Sequence, residues 1–70
     1  MNNKERMQII ATNITNYRKA KGITQKELAA AIGISQSTMT EYMKVRTAPS
    51  FGVIQKLADY FGVKKSDIDT

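Results

Sequence analysis

Residues 24–44 read TQKELAAAIGISQSTMTEYMK, and the fold turns on how this stretch is parsed. Two helix starts stand in it, one at Thr24 and one at Ser35. Thr24 and Glu27 have the spacing of a capping box. The hydroxyl accepts from the Glu27 N–H, and the Glu27 carboxylate reaches back to the Thr24 N–H. Ile23 before the cap and Leu28 within the helix can then touch as a hydrophobic staple. The device recurs at Ser35, with Ile34 before it and Met39 in the place of the staple partner, so a second helix is expected to start at Gln36. Gly33 falls between them, where the first helix must stop and the backbone most often needs a positive φ. Helix, three-residue turn Gly33–Ile34–Ser35, helix is the outline of a helix-turn-helix over residues 24–44.

Working outward, Met7, Ile10, Ile14 and Tyr17 recur at helical spacing ahead of Gly22, with Ile9 and Ala11 flanking the stripe. A first helix is therefore expected from about Lys4 to Lys21. Leu28, Ala29 and Ile32 should face inward from the second helix, and Met39, Tyr42 and Met43 from the third, with small Ala29 where the two backbones cross closely. Val45 to Ala48 reads as a loop closed by Pro49. Ser50 caps a fourth helix carrying Phe51, Ile54, Leu57, Ala58 and Phe61 inward, and Gly62 ends it. Val63 to Ile68 offers one last short helix on thin cues. No strand-like alternation, repeat or low-complexity segment interrupts this pattern. The expected architecture is all-α, a compact bundle of four to five helices, with residues 1–70 as a single domain.

Composition narrows the chemistry. The 70 residues include no cysteine and no histidine, so there is no soft metal ligand, no thiol nucleophile and no side chain that ordinarily titrates near neutrality. No clustered acid pair and no phosphate-binding glycine loop is present, so no enzyme, cofactor or small-molecule substrate is expected. No apolar run reaches the ~20 residues of a membrane span, and polar Met1 to Arg6 precede no signal-peptide core, which points to a cytoplasmic protein away from membranes. The net charge is +5, and it is unevenly placed. Residues 1–49 hold eight Lys or Arg against three Glu, whereas residues 50–70 balance three Lys against three Asp. The excess lies in the half containing the turn, where it would attract phosphates.

Gln25, Ala29, Gly33, Ile34, Met39 and Tyr42, followed by Pro49-Ser50 and Phe61-Gly62-Val63, resemble the lambda-repressor and Cro-like (XRE-type) helix-turn-helix domain. That family occurs in phage repressors and many small bacterial regulators, and the resemblance runs from about Ile14 to Ile68. It implies a lambda-repressor-like DNA-binding fold encoded by a bacterium or phage, with the helix at residues 36–44 as the recognition helix. Two positions depart from the pattern. Val45 stands where the family usually has glycine; a β-branched residue tolerates positive φ badly, so the helix is expected to run on or end differently. Arg18 matches an arginine that many members pair with a glutamate, but Met43 occupies the acid's position. Arg18 is accordingly expected to find Glu41 or Asp59, or to lean outward.

With the recognition helix in the major groove, Gln36, Ser37 and Glu41 point outward while Met39 and Tyr42 point away. Gln36 offers the donor and acceptor that match the adenine N6 and N7 edge; Ser37 serves any base; Glu41 can accept from cytosine N4 or repel phosphates. Thr40 joins these base-contacting candidates as an exposed helix position. By resemblance, Gln25 lies beside the phosphate backbone and can brace Gln36. Lys26, Ser35, Lys44, Arg46 and Thr47 complete the phosphate-contacting group, because they flank the two helix starts and the following loop. Lys19 and Lys21 suit the C-terminal dipole of the first helix instead, and Lys64 and Lys65 read as solvated. Met39 and Met43 read as core, and none of Tyr17, Tyr42 and Tyr60 stands as a stacking platform for single strands.

The leading expectation is a sequence-specific regulator of transcription, a repressor whose partner is a double-stranded DNA operator of two-fold symmetry bound by a homodimer. One recognition helix reads only a few base pairs, so two are needed for useful specificity. The alternative is a protein-interaction module, an antitoxin or anti-repressor on the same fold, which predicts an exposed apolar patch and little salt dependence.

Overall fold

In the computed structural model, which describes residues 2–70, every α-helix begins at a side chain that takes over a free backbone N–H. α1 (Asn3–Lys21) starts at Asn2, whose Oδ1 accepts from the Glu5 N–H at 2.8 Å. α2 (Gln25–Ile32) starts at Thr24 with both halves of the capping box formed, each at 3.0 Å. α3 (Gln36–Met43) and α4 (Phe51–Phe61) start at Ser35 and Ser50, whose hydroxyls accept from the Thr38 and Val53 N–H groups. Each cap of this kind is worth about 1 kcal/mol, which matters for helices of two turns that would not form alone. Accepting the Thr24 backbone N–H, and secondarily bonding its hydroxyl, holds the Glu27 carboxyl below its ordinary value. The box is therefore intact at neutral pH and opens only as acid carries the pH down through that lowered value.

The packing is all-α. Ile10, Ile14, Leu28, Met39, Ile54, Leu57 and Ile68 are fully enclosed, with Ala29 and Ala58 between them where helices approach closely. Each large apolar side chain removed from water contributes about 1.5–3 kcal/mol before chain entropy is set against it. α2 crosses both α3 and α4, and α3 rests on α1. Tyr17 stacks on Phe61 at 5.5 Å and Tyr60 meets Phe61 edge-on at 5.4 Å, tying the far half of α1 to the end of α4. The final segment is a single 3-10 turn, Lys65–Asp67, rather than a further α-helix. No helix among the described residues is long and apolar enough to cross a membrane.

Three expectations are corrected. Phe51 does not face the core; as the first residue of α4 it overhangs the packed region and stays 73% exposed, covered only by Lys65, whose ammonium lies 4.0 Å from the ring centre. Arg18 finds neither Glu41 nor Asp59. Its Nη1 donates to the Ile23 carbonyl at 2.7 Å, while its Nε is buried without a partner. The two carboxylates are engaged elsewhere, Glu41 by Arg46 and Asp59 by Gln55.

The third correction concerns the end of α3. The helix does not run on past its expected end, because Val45 accepts the left-handed conformation with φ 59°. Val45 N–H donates to the Tyr42 carbonyl at 3.1 Å and Arg46 N–H to the Glu41 carbonyl at 3.0 Å, which is a Schellman closure with valine in the glycine position. At Gly33, by contrast, φ is 74° and a Cβ would meet nothing within 4 Å, so the backbone angle alone demands glycine there. The same demand at residue 45 strains a β-branched side chain by about 1–2 kcal/mol. Val45→Gly is therefore expected to stabilise the chain by about 0.5–1 kcal/mol after the added unfolded-state entropy of glycine is subtracted. Thermal unfolding measures this: a Tm raised by a few degrees is the expected result, and a lowered Tm would show that the side-chain packing of Val45 outweighs its strain.

Candidate nucleic-acid interface

α3 presents two sides of opposite character. Met39 and Tyr42 are buried against α1 and α2, with Met43 half-buried and its Sδ 3.6 Å from the Thr15 Oγ1, whose hydroxyl donates to the Ala11 carbonyl at 2.8 Å. Burial pushes the Tyr42 phenol up, so it is neutral throughout the physiological range. The underside fixes the roll of the helix, and what remains faces water.

At the open end of α3, Gln36 and Ser37 are both exposed. Their N–H groups belong to the first turn, which has no intrahelical acceptors, and the helix dipole adds partial positive charge there. Ser35 is exposed, but its hydroxyl is spent locally. It accepts from the Thr38 N–H at 3.0 Å and shares a hydrogen bond with the Thr38 hydroxyl at 2.8 Å. Thr40 is half-buried and its hydroxyl donates to the Gln36 carbonyl at 3.0 Å, so of the expected base-contacting group it has the least freedom to reach out.

Along the chain, cations and polar groups flank α3 on both sides. Lys26 in the first turn of α2, and Lys44, Arg46 and Thr47 after α3, are exposed, while Gln25 is half-buried at the start of α2. No hydrogen bond joins the Gln25 and Gln36 side chains among the described residues, so the bracing expected from the resemblance is not made in the free chain. Glu41 is half-buried on α3, and its Oε1 accepts from the Arg46 Nη1 at 3.3 Å. This pair went unforeseen. The signal for it was present in the spacing, since a Schellman closure brings the third-last helical residue beside the one after the left-handed position, and here those are Glu41 and Arg46.

The structure thus brings Gln36, Ser37 and Glu41 onto the solvent side of one short helix, with Lys44, Arg46 and Thr47 at its exit. Exposed amide, hydroxyl and carboxylate groups of this kind can exchange hydrogen bonds with base edges, and the flanking cations can neutralise phosphates. No group of His, Cys, Asp and Glu among the described residues is arranged to hold a metal ion.

Comparison with known proteins identifies the family and the fold. The helix-turn-helix family model matches residues 14–68. An uncharacterised helix-turn-helix-type transcriptional regulator of Methanocaldococcus jannaschii is 38% identical over 52 residues, covering 74% of this chain and 79% of its own. The uncharacterised helix-turn-helix-type transcriptional regulator YazB of Bacillus subtilis is 34% identical over 61 residues, covering 87% of this chain and 88% of its own. Among solved structures, that of the SOS-response transcriptional repressor LexA from Eubacterium rectale superposes with a TM-score of 0.87 at 35% identity, over 94% of this chain and 70% of that one.

Proposed function

This chain belongs to the helix-turn-helix family of DNA-binding transcriptional regulators, and from that premise we propose that it is a sequence-specific repressor acting in the cytoplasm on a double-stranded operator of two-fold symmetry. The observation that carries the reading is the open end of α3: Gln36 and Ser37 stand free in solvent on a helix whose opposite side is locked into the core by Met39 and Tyr42. In the proposed complex Gln36 and Ser37 read base edges with Thr40 behind them, while Glu41, the remaining candidate on this side of the helix, is engaged by Arg46. Gln25, Lys26, Ser35, Lys44, Arg46 and Thr47 hold the backbone. The repressor role is supported by the name of the LexA neighbour.

The proposal includes a homodimer on DNA, because one recognition helix reads only a few base pairs. Two recognition helices entering successive major grooves lie about 34 Å apart, and the chain's longest dimension is 30 Å. That spacing is close to the length of one copy, so the proposed complex has two copies side by side on one face of the duplex. The protein-interaction alternative calls for an exposed apolar patch. Among the described residues the large apolar side chain left exposed is Phe51, alone and beneath Lys65, and isolated exposed residues of that kind are ordinary.

Selection of bound duplexes from a random pool tests the reading, with a symmetric site whose halves lie one helical turn apart as the expected outcome. Affinity should fall steeply with salt, because each neutralised phosphate releases counterions. Arg46→Ala is expected to weaken every duplex alike and to reduce the slope of log affinity against log salt by about 1 per protomer. Binding that is insensitive to salt, or a pool that yields no enriched sequence, would count against the proposal.

A further inference from the structure

The exit of α3 is held in place more firmly than a solvent-exposed loop needs. Arg46 is joined twice to the same residue: its backbone N–H donates to the Glu41 carbonyl at 3.0 Å, and its Nη1 donates to the Glu41 carboxylate at 3.3 Å. Between them Val45 is kept at φ 59°, a conformation its branched side chain resists. In most closures of this shape the two flanking residues meet through an apolar contact. Here that contact is replaced by an ion pair whose side chains remain 61% and 41% exposed for Arg46 and Glu41. An exposed pair of this kind contributes little to stability, so stability does not account for the strain that accompanies it. Strain of this sort tends to be kept where it fixes something that acts.

We propose that Glu41 is a positioning residue for Arg46 and reads no base: its carboxylate and carbonyl together aim the guanidinium at one backbone phosphate beside the exit of α3. The inference rests on the DNA-binding reading above. A guanidinium has five N–H donors in a rigid fork, and the single bond from Nη1 to Glu41 leaves Nε and Nη2 for two bonds to a phosphate. Glu41 consequently stays neutralised while it lies near the duplex, and the loss of freedom that Arg46 would otherwise suffer on binding has already been taken in the free chain.

The test compares wild type, Glu41→Ala, Glu41→Gln, Arg46→Ala and the double variant Glu41→Ala/Arg46→Ala on the duplex enriched from a random pool and on single-base variants of it, across a salt series. Glu41→Ala is expected to weaken binding by about threefold on every duplex and to flatten the salt dependence. Glu41→Gln keeps an oxygen acceptor for Arg46 and should recover part of that loss. In the Arg46→Ala background Glu41→Ala should no longer weaken binding and should tighten it slightly, because the carboxylate left unpaired beside the phosphates is removed. Three results would each overturn the inference: a change of preference at one base pair, which makes Glu41 a base reader; tighter binding by both Glu41 variants, which makes its carboxylate simply repulsive; or a Glu41→Ala effect of the same size with and without Arg46. Failure of the unaltered chain to bind any duplex is a separate outcome that removes the DNA-binding reading itself.

Discussion

Replacing Ile68 with alanine is expected to destabilise the chain by about 2–5 kcal/mol, the range for emptying a buried isoleucine site. Ile68 is fully enclosed although it stands two residues from the C-terminal Thr70. Its burial depends on long-range anchors. The Asn13 Nδ2 donates to the Ile68 carbonyl at 2.9 Å, and the Arg6 guanidinium grips the Asp69 carboxylate through Nε at 2.9 Å and Nη2 at 2.6 Å. Removing the side chain leaves these polar ties holding a segment with nothing to bury, under the interface of α1 and α4. At ~0.05–0.15 kcal/mol of stability per residue, a domain of this size holds about 4–10 kcal/mol, so the loss is a large fraction of the whole. Urea unfolding should show the midpoint falling steeply, and in the extreme no folded baseline at all. A change under 1 kcal/mol would mean that the tail is dispensable and the core closes without it.

The same segment shows where reading from sequence stops. The two starts at Thr24 and Ser35, the turn at Gly33 and the inward faces of α2 and α3 were legible because each is a local device, written within four residues of chain. The exposed positions of Gln36 and Ser37 followed from helical geometry once those starts were placed. The tail was different: its cues suggested a short helix, and what forms is one 3-10 turn pinned by partners on α1 some 55 to 63 residues away. No periodicity reports such pairings. Phe51 matched the apolar spacing of α4 and still missed the core, since spacing gives a face but not where the core ends. Val45 misled in the opposite direction. Its shape argued against a positive φ, and the closure formed regardless, because the hydrogen bonds to Glu41 and Tyr42 and the following loop outweigh a strain of about 1–2 kcal/mol. Arg18 shows a third limit. The sequence lacks the carboxylate that would pair with Arg18, yet a backbone carbonyl at Ile23 takes its place, and carbonyls are present at every position of a sequence.

Gln36→Ala should have the largest effect on recognition, and its signature is a change in ratio. Gln36 is the first residue of α3, exposed, with its backbone carbonyl already occupied by the Thr40 hydroxyl. Truncating the side chain removes no cap and no buried contact, so folding should be unaffected within about 0.5 kcal/mol. A bidentate amide against a base edge is worth about 1–3 kcal/mol of discrimination. The enriched duplex should therefore lose roughly that much affinity, while duplexes altered at the base pair Gln36 reads should lose almost nothing. The preference at that one position collapses and the others survive. Salt dependence should stay the same, because no phosphate contact is lost, and this separates Gln36→Ala from Arg46→Ala, for which sequence preference persists and the salt slope falls. The two substitutions lie on either end of one short helix and share no partner, so their effects should add. If Gln36→Ala instead weakens all duplexes equally, the open end of α3 serves as a backbone clamp, and the specificity of this chain must be sought elsewhere on its surface.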